Sequence, residues 1–276
     1  RLGYVAEGVT TYMGDVMLYR SGVFNWEQFA KTQNENLKRH LENEGRHNLS
    51  VADSSFDTWL DGYELGIPNR KTSIYTEGAL CMLMIDALII SHSEGKHSLH
   101  DVMKVLYTDY ALKGKGYTED DFQTLCVQYG GVEVAQVFSH HIYGTEDYLP
   151  SLKAILPKIA LELNDLENPS HTARLFGFMT AKIEGKYIIK KVVNDSVADK
   201  AGIAVEDEIL SVEGKAIEKT VNDCLPGDLK EVTFQLKRRF ENKDVTLQAG
   251  IHYPLQQLQK APATDQLKLL RKIWGK

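Results

Sequence analysis

A chain of 276 residues with 43% hydrophobic and 25% charged side chains has the makeup of a globular protein of roughly one to two domains, and excludes a disordered polymer or a small disulfide-stapled scaffold. Its formal charge of −6, with no basic run longer than Lys237-Arg238-Arg239, offers no electrostatic footprint for nucleic acid. Three widely spaced cysteines, Cys81, Cys126 and Cys224, argue against a disulfide framework or a cysteine-rich zinc site and read as buried thiols.

The longest apolar run, residues 79–90 with Asp86 inside it, is too short to span a bilayer and reads as a core helix. The chain opens on Arg1 with neither an initiator methionine nor a signal pattern. The native N-terminus is therefore expected upstream, and the compartment stays open between cytoplasm and periplasm.

In chain order, Val5, Val9, Tyr12, Met13, Val16 and Met17 recur at three- and four-residue steps and predict an amphipathic helix running towards Arg20. Glu7 is expected at its opening turn, near the positive end, where a carboxylate either offsets the helix dipole or stays ionised for a metal. Asn25 with Gln28 predicts a capping box for a second helix reaching about Gly45. Residues 49–59 read as a polar turn entering a short helix with Phe56 and Trp59 on one side, and Gly62, Gly66 and Pro68 mark a loop.

Residues 73–90 are apolar nearly all round and predict a central helix enclosed by others. Gly78 within it costs roughly 1 kcal/mol against Ala, which a close helix contact or a reactive neighbour would justify. Tyr75 stands at the opening turn, as a packing ring or as a hydroxyl donor. Helices follow from Ser98, from Thr118 and over residues 132–143, separated by glycine-rich stops. A shorter helical piece at 151–155 leads to a linker at 164–170, so residues 1–160 read as a helical domain.

From Arg174 the pattern changes to period two, with strands expected at 175–183, 186–193, 208–212, 231–238 and 244–250 and a short helix at 196–200. Residues 171–252 therefore read as a β-rich domain. Residues 253–276 read as a helical tail, where Thr264 caps a helix whose Leu267, Leu269, Leu270, Ile273 and Trp274 make an apolar face for docking. The fold class expected is multi-domain α + β.

The strand-rich part resembles a PDZ domain. Leu175-Phe176-Gly177-Phe178 looks like that family's carboxylate-binding loop, and residues 192–203 followed by 206–215 run in the family's order. Leu175 replaces its first loop glycine and Glu206 the glycine before Asp207. The resemblance implies a peptide C-terminus docked beside a strand through successive backbone N–H groups.

The helical part followed by such a domain resembles the glycyl aminopeptidases, zinc peptidases of the aminopeptidase N clan. The resemblance rests on Glu7-Gly8-Val9-Thr10-Thr11-Tyr12, Gly45-Arg46, Ser55-Phe56-Asp57-Thr58-Trp59, Tyr75-Thr76-Glu77-Gly78-Ala79-Leu80 and Ser98-Leu99-His100-Asp101-Val102-Met103. It implies that Glu7 is the third zinc ligand, that Tyr75 donates its hydroxyl to the oxyanion of the tetrahedral intermediate, and that peptides are the substrates. Thr76-Glu77 departs from the lysine common before the glycine, which would alter the charge of the pocket.

None of the nine histidines forms His-Glu-x-x-His. His97 and His100 read as solvent-exposed, and the adjacent His140 and His141 point to different faces. The chain is accordingly expected to be the C-terminal portion of a zinc aminopeptidase, inactive alone and without bound zinc, with the metal helix upstream. The alternative is a non-catalytic scaffold whose PDZ module captures peptide C-termini.

Overall fold

The computed structural model describes residues 1–61, 67, 69–225, 229–252 and 255–275. The loop expected at Gly62, Gly66 and Pro68 lies outside these residues. Contacts divide the chain into two units, one of Arg1–Asn164 with Gln256–Lys276 and one of Asp165–Leu255.

Helix α1 (Gly3–Arg20) buries Tyr4, Val5, Gly8, Val9, Tyr12 and Val16. Met17, expected on that face, is 41% exposed. The helix also starts earlier than its apolar periodicity suggested, because the amides of Val5 and Ala6 already bond to the Leu2 carbonyl. Its first turn carries no acidic residue. Glu7 therefore stands past the turn in which a dipole acts strongly, and the expected placement of Glu7 in the opening turn is corrected.

Helix α2 (Trp26–Glu42) starts at the predicted capping box, the Gln28 amide donating to Asn25 Oδ1 and the Asn25 amide to Gln28 Oε1, each at 2.9 Å. It stops at Glu42, short of Gly45, and a 3-10 turn (Glu44–His47) carries the chain on. Helix α3 (Val51–Asp61) packs through Val51, Ala52, Ser54 and Ser55, with the Tyr4 amide donating to Ser55 Oγ at 2.8 Å. Phe56 and Trp59 are 65% and 81% exposed.

The central helix α4 (Thr76–His92) is buried without interruption from Thr76 to Ile90. Each of its large apolar side chains contributes about 1.5 to 3 kcal/mol by leaving water, which makes this helix the core of the first unit. Asp86 is tolerated there because both oxygens are bonded: Tyr12 Oη donates to Oδ2 at 2.6 Å and the Leu99 amide to Oδ1 at 2.7 Å.

Around α4 lie α5 (Leu99–Val105), α6 (Glu119–Gly130), α7 (Val132–Val137) and α8 (Tyr148–Ile155). The predicted 132–143 helix is α7 prolonged by a π turn, Phe138–Ile142. Strand β1 (Leu161–Leu166) follows, in place of part of the expected linker.

In the second unit a π turn, Thr172–Phe176, closed by Gly177 at φ +77°, delays the predicted 175–183 strand until β2 (Phe178–Ile183). Then come β3 (Lys186–Val192), α9 (Val197–Lys200), β4 (Glu208–Val212), β5 (Lys215–Ala216), β6 (Glu231–Arg238) and β7 (Glu241–Gln248). The antiparallel sheet runs β2-β3-β4-β6-β7, with β5 folded onto β4. Its core centres on Phe176, Phe178 and Phe234, the last edge-on to the other two at 5.6 and 5.3 Å. Cys81 and Cys126 are buried as expected, whereas Cys224 is only partly covered.

The remaining segment is a strand as well as a helix. Strand β8 (Leu255–Lys260) pairs with β1, and the Asn34 side chain accepts the Leu258 amide at 2.8 Å. Helix α10 (Asp265–Trp274) docks in the first unit: Trp274 is fully buried, its Nε1 donates to Tyr12 Oη at 2.8 Å, and its carbonyl accepts from Arg20 Nε at 2.9 Å.

Candidate active site

Glu7 and Tyr75 stand on two helices that touch through their backbones. A β-carbon built on Gly8 would lie 2.7 Å from both Cα and the carbonyl carbon of Gly78, and one on Gly78 would lie 3.0 Å from the Tyr4 carbonyl oxygen. Only glycine at both positions permits this approach, which answers why a core helix tolerates Gly78. Glu7 directly precedes one glycine, and Tyr75 stands about one turn before the other. The crossing thus brings the two motifs to a common place.

Both side chains keep access to solvent. Glu7 is half-buried, and its carboxylate has no hydrogen bond or ion pair among the described residues. Tyr75 is 37% exposed at the N-terminal boundary of α4. Its turn is fixed locally, the Glu77 amide donating to the Ser73 carbonyl at 2.9 Å and the Thr76 amide to Ser73 Oγ at 3.1 Å.

A catalytic zinc takes three protein ligands and leaves a fourth position for water. The residues present do not fit that requirement on their own: Glu7 is one donor, and among the described residues no three His, Cys, Asp or Glu side chains converge. His97 and His100 are exposed; His97 packs on Tyr129 at 4.8 Å and faces Asp101 at 3.8 Å. His140 and His141 diverge as their adjacency predicts, the first half-buried and the second buried.

Beneath the Tyr75 turn lies a polar cluster that no sequence motif announced. His40, in the last turn of α2, and Glu77, in the first turn of α4, are each 1% exposed and share a short hydrogen bond between Nδ1 and Oε2. The His40 ring packs on Tyr148 at 4.5 Å, and Tyr148 packs on His141 at 4.7 Å. Tyr148 Oη donates to the His141 carbonyl at 2.9 Å and lies 3.5 Å from Cys81 Sγ. Burial pushes the Cys81 thiol up to about 12, so it is no nucleophile. Burial also lowers the pKa of His141, whose Nε2 bonds Ser151 Oγ at 2.8 Å.

The expectation that Glu77 changes the charge of a pocket is therefore corrected: its carboxylate points inward. The signal available in sequence was the departure at Glu77 itself. Its partner His40 lies 37 positions away, a separation that no local pattern encodes.

In the second unit, the loop Leu175-Phe176-Gly177-Phe178 has both phenylalanines fully buried and Leu175 packed against the core. The Gly177 amide donates to the Ala173 carbonyl at 3.1 Å, and the Gly177 carbonyl accepts from Val193 at 2.8 Å. One of the amides that a docked carboxylate would use is thus occupied by the π turn. Next to this loop, the amides of Gly250 and His252 donate to the carbonyls of Leu175 and Arg174 at 2.8 and 2.7 Å.

Residues 1–81 match the model of the M61 glycyl aminopeptidase family, a span that holds both Glu7 and Tyr75. No curated protein matches the chain. Among solved structures, an aminopeptidase N family protein from Idiomarina loihiensis is similar at 25% identity and a TM-score of 0.81, over 98% of this chain and 48% of its own. The chain thus spans about half the length of that protein. A PDZ domain protein from Parabacteroides distasonis shares 20% identity across 38% of this chain and 23% of its own, at a TM-score of 0.25, an overlap too slight to argue from. The family model and the Idiomarina structure agree with the glycyl aminopeptidase resemblance of the motifs.

Proposed function

We propose that this chain, whose residues 1–81 match the glycyl aminopeptidase family model, forms one part of a zinc-dependent aminopeptidase that removes N-terminal residues from peptides. The observation that carries this reading is the Gly8–Gly78 contact, which joins the backbone segments that carry Glu7 and Tyr75, both with access to solvent. In this reading Glu7 is one zinc ligand, and the remaining ligands come from residues outside these 276. Zinc, when bound, supplies the activated water.

The part of this chain in the reaction is electrostatic. As water adds to the scissile carbonyl, negative charge gathers on its oxygen, and the neutral Tyr75 hydroxyl donates a hydrogen bond to it. A preorganised donor of this kind lowers a barrier by about 3 to 4 kcal/mol. The 276 residues alone are inactive in this account, because one carboxylate does not hold zinc in a catalytic geometry.

The reading is tested by metal content. In the full-length protein, Glu7→Gln should lower zinc bound per molecule well below the wild-type ratio after dialysis, with the circular dichroism spectrum unchanged. Full zinc occupancy in that variant would remove Glu7 from the ligand set.

A peptide-docking role for the second unit accompanies this reading, supported by β2, an edge strand of the sheet among the described residues. An extended peptide can add to such an edge through main-chain hydrogen bonds. With the Gly177 amide occupied, docking should depend little on a free carboxylate. A peptide and its C-terminal amide should bind within about twofold of each other, whereas a large loss on amidation would mean that the π turn opens to receive the carboxylate.

A further inference from the structure

Resting on that reading, we infer that the buried His40–Glu77 pair is a positioning device that aims the Tyr75 hydroxyl. Successive residues on a helix are about 100° apart, so Tyr75 and Glu77 project on roughly opposite sides of α4. Glu77 is 1% exposed and Tyr75 37%. Fixing Glu77 inward is therefore what turns Tyr75 outward.

Burial energetics alone do not explain this pair. His40 Nε2 and Glu77 Oε1 are both buried without a protein hydrogen-bond partner among the described residues. Each side chain has given up water on two polar atoms and regained one contact. Exchange of such a pair for apolar residues of similar volume is commonly neutral or stabilising, and an orphaned buried atom calls for an explanation other than stability.

The surroundings limit how the pair can move. Tyr148 covers one face of His40 at 4.5 Å. One residue after Glu77, Gly78 abuts Gly8, and Ser73 holds the amides of Thr76 and Glu77 from below. The backbone contact sets the distance between α1 and α4, and the buried side chains of α4 fix the body of the helix. Its first turn, at the end of that body, is held in addition by the His40–Glu77 bond. It sets the azimuth of the first turn and hence the direction of the Tyr75 ring relative to Glu7.

The test uses two substitutions at one position in the full-length protein. Glu77→Gln keeps an oxygen at the place of Oε2, where it can accept from His40 Nδ1. Glu77→Asp keeps the charge and is one methylene too short to reach without rotating the turn. The inference expects Glu77→Gln to retain kcat within about threefold. It expects Glu77→Asp to lose at least tenfold in kcat with KM within about twofold, and to cost nothing further when combined with Tyr75→Phe. A role in charge alone predicts the reverse order, and a role in folding alone predicts lowered melting temperatures with normal kcat for the folded fraction; either result overturns the inference. If Tyr75→Phe impairs turnover while Glu77→Asp acts additively with it, the inference fails and the catalytic reading stands. If Tyr75→Phe itself leaves turnover normal, both fall.

Discussion

Gly8 of α1 and Gly78 of α4 meet backbone to backbone: a β-carbon on the second would stand 2.8 Å from the Cα of the first. The contact lies between the Glu-Gly and Tyr-x-x-Gly motifs, so the glycines in both motifs serve one helix crossing. The site depends on this crossing before it depends on any polar contact.

Gly8→Ala makes the dependence measurable. Alanine gains up to about 1 kcal/mol of helix propensity over glycine, yet its methyl would press on backbone atoms that have no rotamer to escape into. Overpacking of this kind costs about 1 to 3 kcal/mol, so a net loss of stability is expected in urea unfolding, together with reduced turnover in the full-length protein. A more stable Gly8→Ala variant would mean that α1 and α4 separate without penalty.

Asp86 gives the first unit a pH dependence of definite sign. Burial raises its pKa, against the opposing bonds from the Leu99 amide and Tyr12 and the Arg20 charge. The folded state therefore holds the proton more tightly than the unfolded chain, whose Asp titrates near about 3.9. Stability from this group is full below that value and declines as pH rises through the folded pKa. Asp86→Asn can still accept from Leu99 and should flatten this part of the curve of unfolding free energy against pH. An unchanged slope in the variant would assign the dependence to other groups.

The second unit has the opposite sign at Asp207. Burial pulls its pKa upward, but the bonds from Arg238 and the Ala204 amide, with the charges of Arg238 and Lys243, outweigh this and leave it below the ordinary carboxylate value. Arg238 donates from Nε and Nη2 at 2.6 and 2.7 Å to a carboxylate that is 1% exposed. Arg238→Ala should cost about 2 kcal/mol at neutral pH. The difference from wild type should shrink as pH falls below about 3.9 towards the folded pKa. Equal stability of the two proteins at pH 7 would show that solvent replaces the arginine.

Much of the scaffold was readable from local chemistry. The capping box at Asn25 forms as its spacing predicts, helices start after Ser98 and Thr118 as expected, and β4 and β6 occupy the predicted residues. What was not readable depends on distant partners. Ser55 bonds the Tyr4 amide, 51 residues away. The β1–β8 sheet joins two short segments far apart in the chain, one overlapping the expected linker and one lying in the expected helical tail, with Asn164 bonding Gln259 across 95 residues at 2.9 Å. The motifs singled out Glu7 and Tyr75, whereas the His40–Glu77 bond required the fold.

Turnover of the full-length protein on peptide substrates, with Tyr75→Phe set against wild type, tests the central claim most directly. Removing one hydroxyl leaves the ring in place and takes away the donor that the proposal assigns to the oxyanion. The account predicts a fall in kcat of about a hundredfold or more with KM within about twofold. Near-wild-type kcat in a fully folded Tyr75→Phe protein would contradict it.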